Sequence, residues 1–337
     1  MDRLGIEMLS VFGMAPVEYV KLTADLGCRY ITTGLVGFTP LKALAYQPFS
    51  LRADHTLRRE LLAAMDDRGV SISLGEGLLI APGVDVRSYA ADLDIMAQLR
   101  IPRINTVSLE PDRARTFDEL AALTALAAER GIATCIEPVL GLVIADLPTA
   151  LTAVEYVDRD EISLLIDTMH VARFGAGADD LRSLPAQRIG YVQLCDTTRE
   201  PRMDHYAEDA MYERLAPGDG ELPLSDMLAA LPDDRVVGLE VPMRSRAEAD
   251  VSAYDRLLPC VESARALFGL VLAKPVESQI NPENARQPPR PFLIASSCFW
   301  PTSVTNSCGA SAKEGPSNSR VTIALPSVNS NTVTPLE

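Results

Sequence analysis

In the second half of the chain, four apolar runs each carry an oxygen-bearing side chain where they stop. IATCIEP (132–138) ends at Glu137 and EISLLIDT (161–168) at Asp167. YVQLCD (191–196) holds Gln193 and Asp196, and RVVGLEVP (235–242) holds Glu240. A single acid closing a buried strand is ordinarily a helix N-cap or an ion-pair partner. Four polar groups in series, each breaking an apolar run at the equivalent point, suit a shared cation better. Three carboxylates brought together raise one another's pKa values unless a positive charge intervenes. Glu137, Asp167, Gln193 and Glu240 are therefore expected to ligate one divalent metal. Three carboxylates and an amide carbonyl are all oxygen donors, which favours Mn²⁺ or Mg²⁺, with Co²⁺ an alternative, over a thiolate-type zinc site. Mn²⁺ is the first choice.

Such a site needs elements that bring the strand ends to one point. Eight short β-branched or apolar runs alternate with segments of helical spacing; the four earlier runs are GIEMLS (5–10), RYITTG (29–34), SISLGEG (71–77) and RINTVSL (103–109). In PVEYVKLTADLG, Val17, Val20, Leu22 and Leu26 share a face, and DELAALTALAAERG closes on Gly131 as a helix C-terminal stop. Alternating strand and helix implies parallel strands joined by right-handed crossovers. Eight units over roughly 270 residues fit a (β/α)8 TIM barrel, whose usual size is about 250. An open doubly wound sheet is disfavoured because no glycine-rich phosphate fingerprint follows the first strand. In a parallel barrel the strand ends share one rim, so the four candidate ligands would surround one point. The long connections 35–55 and 197–234 would shape the pocket above it.

The whole chain has 337 residues, a net charge of −15 and 47% hydrophobic residues. That charge, with no run of Lys and Arg, speaks against nucleic acid as a partner. The N-terminus lacks the basic start and apolar run of a signal peptide, and no window is apolar enough to span a membrane. Six cysteines include no CxxC pair, and Cys28, Cys135, Cys195 and Cys260 sit in apolar surroundings, as reduced core thiols do. A cytoplasmic protein is expected. From Lys274 onward Pro, Ser, Thr and Asn make up 30 of 64 residues. The expected organisation is a barrel over 1–272 and a low-complexity, disordered extension over 273–337, with PFLIASSCFW its one apolar patch.

Over about residues 1–270 the chain resembles the xylose isomerase-like TIM barrels of the sugar phosphate isomerase/epimerase superfamily. The resemblance rests on IEP at Glu137, LLIDTMH from Asp167 to His170, YVQLCD, ERLAPGDGELPL (213–224) and GLEVP at Glu240. It implies one divalent metal on Glu137, Asp167, Gln193 and Glu240. Many members carry His where this chain has Gln193; the hydroxypyruvate isomerase branch is similar in using Gln, and loss of an imidazole weakens the case for zinc. The resemblance also implies that His170 touches a substrate oxygen and that Arg214 clamps substrate oxygens. Gly218 and Gly220 would let the loop after the seventh strand turn tightly toward the rim. Relatives often pair, so a homo-oligomer is expected.

The implied chemistry is isomerisation or epimerisation of a sugar or sugar-like α-hydroxy-ketone through an enediolate. Glu137 and Glu240 would remove and return the proton as the two acid/bases. The alternative is a carbon–oxygen lyase, a dehydratase acting on a keto-cyclitol or 3-keto-glycoside with the same metal site. There His205, in the 197–212 loop, would protonate the departing oxygen. Glu7 and Glu76 are expected to line the pocket without an assigned role. A DNA-repair endonuclease of this fold would need many histidines, and only His55, His170 and His205 are present. A non-catalytic sensor is the remaining class, since fold alone does not fix function.

Overall fold

The computed structural model describes residues 3–37, 44, 46–203 and 205–273. Two compact units divide the chain, Met1–Lys274 and Pro275–Glu337. The disordered extension is expected over 273–337; Ala273 is the last residue of a helix, and the rest of the extension lies outside the described residues.

Eight parallel strands form a closed barrel in chain order: β1 (Leu4–Ile6), β2 (Tyr30–Gly34), β3 (Ser71–Glu76), β4 (Arg103–Thr106), β5 (Ala133–Ile136), β6 (Ile162–Asp167), β7 (Ile189–Leu194) and β8 (Val237–Leu239). The ring closes where Leu4, Gly5 and Ile6 pair with Val237, Gly238 and Leu239. Helices α1 (Pro16–Asp25), α2 (His55–Arg68), α3 (Ala90–Gln98), α4 (Arg113–Ala128) and α5 (Leu147–Val157) connect the first six strands. Further on come α6 (Thr168–Arg173), α7 (Ala178–Ser183), α8 (Tyr206–Tyr212), α9 (Leu224–Ala229), α10 (Arg244–Glu248) and α11 (Ala253–Ala273). This is the (β/α)8 TIM barrel that the strand–helix alternation implies. Among the described residues no helix is long and apolar enough to cross a membrane.

Local chemistry starts and stops these helices. The side chains of Asp54, Asp112 and Asp146 accept hydrogen bonds from backbone N–H groups in the first turns of α2, α4 and α5. Each thus satisfies donors that a helix start leaves without intrahelical partners. Gly69 ends α2 in the left-handed conformation, at φ +64°, and its N–H closes on the Met65 carbonyl.

The period of two along each strand sorts the core. Ile162, Leu164 and Ile166 on β6, and Val192 and Leu194 on β7, belong with helix residues such as Leu120, Val154 and Leu257 in the large apolar layer. The alternate positions point into the barrel, where Leu74, Cys135, Leu165 and Tyr191 form a separate small cluster. Two residues further along the same parity come Glu76, Glu137, Asp167 and Gln193. Glu7 and Glu240 stand at the matching places after β1 and β8. The inward rim layer is therefore polar because one parity of the strands turns polar at its C-terminal end. Register fixes the neighbours: Asp167 pairs with Gln193, and Gln193 with Gly238.

Of the two polar residues that YVQLCD offers, Asp196 has a structural task. Its Oδ2 accepts from the Gly218 N–H at 2.9 Å, and its Oδ1 from Thr197 N–H at 2.8 Å and Leu222 N–H at 3.1 Å. Gly218 adopts φ +95°, and a Cβ at Gly220 would meet Asp196 Oδ1 at 2.3 Å. The PGDG segment thus wraps the Asp196 carboxylate, and that holds the preceding Arg214 over the rim. Asp196→Ala should leave the buried Thr197 N–H without its acceptor, at about 1–3 kcal/mol, and free the partly exposed N–H groups of Gly218 and Leu222 to water. We expect a lower urea midpoint and faster proteolysis within 213–222. An unchanged midpoint with an unchanged cleavage pattern would show that the loop holds itself.

Candidate functional site

Asp167 is fully buried and fills both ordinary roles of an acid at a strand end. As the N-cap of α6 its Oδ1 accepts from the N–H groups of Met169 at 2.7 Å and His170 at 3.0 Å. Its Oδ2 accepts from Arg214 Nη1. The same guanidinium reaches Glu240, with Nη2 2.8 Å from Oε2, and its Nε donates to the Ala210 carbonyl at 2.7 Å. Arg214 is only 2% exposed, so it bridges two carboxylates away from water. Its Nη1 also lies 3.4 Å from Cys195 Sγ. Burial pushes that thiol up to about 12, so the sulfur stays protonated.

His170 ties a second group of residues together. Its Nε2 is 3.2 Å from Glu137 Oε1, and its Nδ1 is hydrogen-bonded to the Tyr206 hydroxyl. Asn105 Nδ2 donates to the other oxygen of Glu137 at 2.7 Å. Glu137, Asp167 and His170 each present a ligand atom within 4.8 Å of the others, a group able to hold a metal ion. Gln193 completes the rim: its Nε2 donates to Glu7 Oε2 and to Glu240 Oε1, each at 3.2 Å. Its carbonyl oxygen is buried and, among the described residues, has no hydrogen-bond partner; the same holds for that of Asn105.

The ionisation of the cluster follows from this geometry. Burial drives Asp167 upward, but Arg214, His170 and the capping N–H groups outweigh it and hold the carboxyl at about 2. One guanidinium compensates one charge, and the doubly capped Asp167 takes it. Glu240 is left well above the ordinary carboxylate range, by burial and by Asp167, Glu137 and Glu7 around it, with Arg214 opposing. Burial likewise raises Glu7 to about 7 against hydrogen bonds from Tyr191, Gln193 and Thr32. Glu76 is pushed well up by burial and by the charges of Glu7 and Glu137.

The structure brings Glu137, Asp167, Gln193, Glu240, His170 and Arg214 to one rim. It differs from the sequence expectation in how they meet. His170, expected against substrate, stands in the tight group with Glu137 and Asp167, while the Arg214 guanidinium lies between Asp167 and Glu240. His205 does not join the cluster. It is exposed at the N-terminus of α8 and, among the described residues, no hydrogen bond ties its ring to the rim; the next residue, Tyr206, reaches His170 instead. Glu7, Asn105 and Tyr206 are participants that the strand-end pattern left without roles. The residues fit a divalent ion: an unpartnered buried acceptor on Gln193 beside buried carboxylates is a place where positive charge is wanted. A cavity of about 300 Å³ lies at the opposite end of the barrel, lined by Ser71, Arg103 and Arg235 among others, away from this cluster.

The sequence profile described as "Xylose isomerase-like TIM barrel" matches residues 20–260. A comparison with functionally curated proteins gives no match. Among solved structures, the IolI protein crystallised with a zinc atom superposes with a TM-score of 0.63 at 18% identity, over 80% of this chain and 98% of that one. The probable 3-DHS dehydratase AsbF of Bacillus anthracis gives 0.62 at 16%, over 79% and 99%. The D-psicose 3-epimerase of Clostridium cellulolyticum H10, solved with D-tagatose, gives 0.59 at 15%, over 80% and 99%. The chain spans 45% of a fusion of a xylose isomerase-like TIM barrel with a 4-hydroxyphenylpyruvate dioxygenase. At such identities the likeness is one of fold.

Arg214→Met removes one partner of a buried ion-pair set, a change that typically costs about 3–5 kcal/mol. The variant, chelator-treated, should melt well below wild type, and added Mn²⁺ should recover much of the difference. Equal melting temperatures in chelator would show that the carboxylates need no resident cation.

Proposed function

The chain belongs to the xylose isomerase-like TIM barrel family, and from that premise we propose that it is a divalent-metal-dependent isomerase or epimerase of a sugar-like α-hydroxy-ketone. The observation that carries this reading is the convergence of Glu137, Asp167, Gln193 and Glu240 on one rim, with the Gln193 carbonyl oxygen buried and unpartnered. The epimerase and the zinc-bearing IolI among its structural neighbours support it as analogy. Glu137, Asp167, Gln193 and Glu240 would hold the ion, with His170 close enough to Glu137 and Asp167 to join them. The oxygen donors favour Mn²⁺, and Mg²⁺ or Co²⁺ would suit them as well; an imidazole ligand would strengthen the case for zinc. When bound, such an ion supplies Lewis-acid polarisation of the substrate carbonyl and its neighbouring hydroxyl.

The protein's own residues would do the proton work. Glu137 and Glu240 come from non-adjacent strands, with Asp167 and Gln193 between them in the ring, so they are placed to flank a substrate carbon. Glu240, held on its two oxygens by the Arg214 guanidinium and the Gln193 amide, would return a proton. Glu137, oriented on both oxygens by Asn105 and His170, is the partner that takes one. Return of the proton to the opposite face gives the epimer, and return to the neighbouring carbon gives the aldose or ketose isomer. Arg214, paired with Asp167 and Glu240, would turn to substrate oxygens when those carboxylates are otherwise neutralised.

Elimination is the second reading, favoured by Tyr206. Its hydroxyl sits on His170 at the mouth, where a leaving oxygen would need a proton, and this replaces the exposed His205 in that role. The neighbouring dehydratase supports it by analogy.

Metal-supplemented protein should catalyse exchange of solvent deuterium into the carbon beside the carbonyl of a ketose, a keto-cyclitol or a 3-keto-glycoside, watched by NMR in D₂O. The product separates epimer from eliminated compound. Glu137→Gln and Glu240→Gln should each slow exchange by about 100-fold or more while folding normally. Wild-type exchange in either variant would sink the two-carboxylate mechanism, and no exchange with any compound would favour a sensor.

A further inference from the structure

Glu7, just after β1, is 1% exposed. Two of its hydrogen-bond partners lie on β7, although β8 stands between β1 and β7 in the barrel. The Tyr191 hydroxyl donates to Oε1 at 2.8 Å, and Gln193 Nε2 to Oε2 at 3.2 Å. Tyr191 and Gln193 are two residues apart and so share the inward face. The carboxyl crosses β8 through the gap at Gly238, where a Cβ would meet Glu7 Oε1 at 1.5 Å. Only glycine permits that crossing. The far side of the network is fixed too: Ser73 Oγ lies 3.0 Å from the Tyr191 hydroxyl and 3.2 Å from the Ile31 carbonyl, to which it donates. The Glu7 backbone N–H is bonded to the Leu239 carbonyl at 3.1 Å.

An amide can present either its oxygen or its nitrogen to a neighbour, and an NH₂ group cannot ligate a cation. Gln193 lies between Glu7 and Glu240, whose oxygens accept. Both hydrogens of its amide nitrogen are engaged there, which leaves the carbonyl oxygen as the group without a partner. We propose that Glu7 is a positioning residue: reaching over Gly238, it holds the Gln193 amide by its nitrogen so that the carbonyl oxygen is presented to a metal ion at the rim. This deepens the metal-site reading above and rests on it. Partners that orient a metal ligand in this way typically contribute about 10–100-fold in affinity.

The test is calorimetric titration of chelator-treated protein with Mn²⁺ alone, for wild type, Glu7→Met, Glu7→Gln, Gln193→Ala and the Glu7→Met/Gln193→Ala double variant. Glu7→Met should weaken binding about 10–100-fold. Glu7→Gln, whose carbonyl still accepts from Gln193, should recover most of that loss. In the Gln193→Ala background Glu7→Met should add nothing, because the two act through one another. Equal weakening in both backgrounds, or wild-type affinity in Glu7→Met, would overturn the proposal while leaving the metal site standing. A wild-type protein that takes up no Mn²⁺ would overturn the metal reading and this inference together. If Glu7→Met does not fold, Tyr191→Phe removes the other anchor of Glu7 and should weaken Mn²⁺ binding in the Gln193 protein but not in Gln193→Ala; no such difference would count against the proposal.

Discussion

Carboxylates crowded out of water must be compensated, and much of this molecule can be read from that constraint. Glu7, Glu137, Asp167 and Glu240 are all under 9% exposed and converge on one end of the barrel, with Glu76 beside them. Arg214 is the buried guanidinium among them, and it lies across Asp167 and Glu240. One positive charge cannot serve so many negative ones. Burial first, and the neighbouring carboxylates after it, raise Glu7, Glu76 and Glu240, while Arg214, His170 and the capping N–H groups hold Asp167 low. Within this cluster Glu137, Asp167 and His170 lie close enough together to hold a metal ion, and the Gln193 carbonyl oxygen, without a hydrogen-bond partner among the described residues, lies on the same rim.

The barrel serves the cluster through two simple devices. Strand parity puts apolar residues inward at mid-barrel and polar ones inward at the rim, so the rim carboxylates and Gln193 reach the site directly from strand ends. Glycines then make room where the polar layer is too crowded for a side chain: Gly238 lets Glu7 cross β8, and Gly220 lets the Arg214 loop close on Asp196. The loop that carries Arg214 is held by backbone hydrogen bonds to that one carboxylate, which couples the position of the guanidinium to a residue outside the cluster.

The barrel itself was legible because alternation of β-branched runs with three-and-four spacing has few other solutions. The convergence of Glu137, Asp167, Gln193 and Glu240 was legible for the same reason, since equivalent strand ends must share a rim. What they do to one another was not. Sequence shows that Arg214 follows the seventh strand, but not that its guanidinium folds back onto Asp167 and Glu240. His205 and Tyr206 are adjacent in a loop, and only the direction in which α8 starts decides that Tyr206 faces inward. Glu7 stands inside the run GIEMLS, so its place near the pocket was visible but not that β1 ends just before it. Its role was not, because the partner strand β7 is two positions away in the ring and the gap that connects them is the absence of a side chain at Gly238.

The central claim is that the rim carboxylates and the Gln193 carbonyl jointly hold one cation. Anomalous diffraction from Mn²⁺-soaked crystals tests it most directly. The account predicts one ion per chain, bound by Asp167 and the Gln193 carbonyl oxygen with Glu137 and Glu240, and the Arg214 guanidinium moved off Asp167. An ion bound elsewhere, or none, with Arg214 still bridging Asp167 and Glu240, would contradict it.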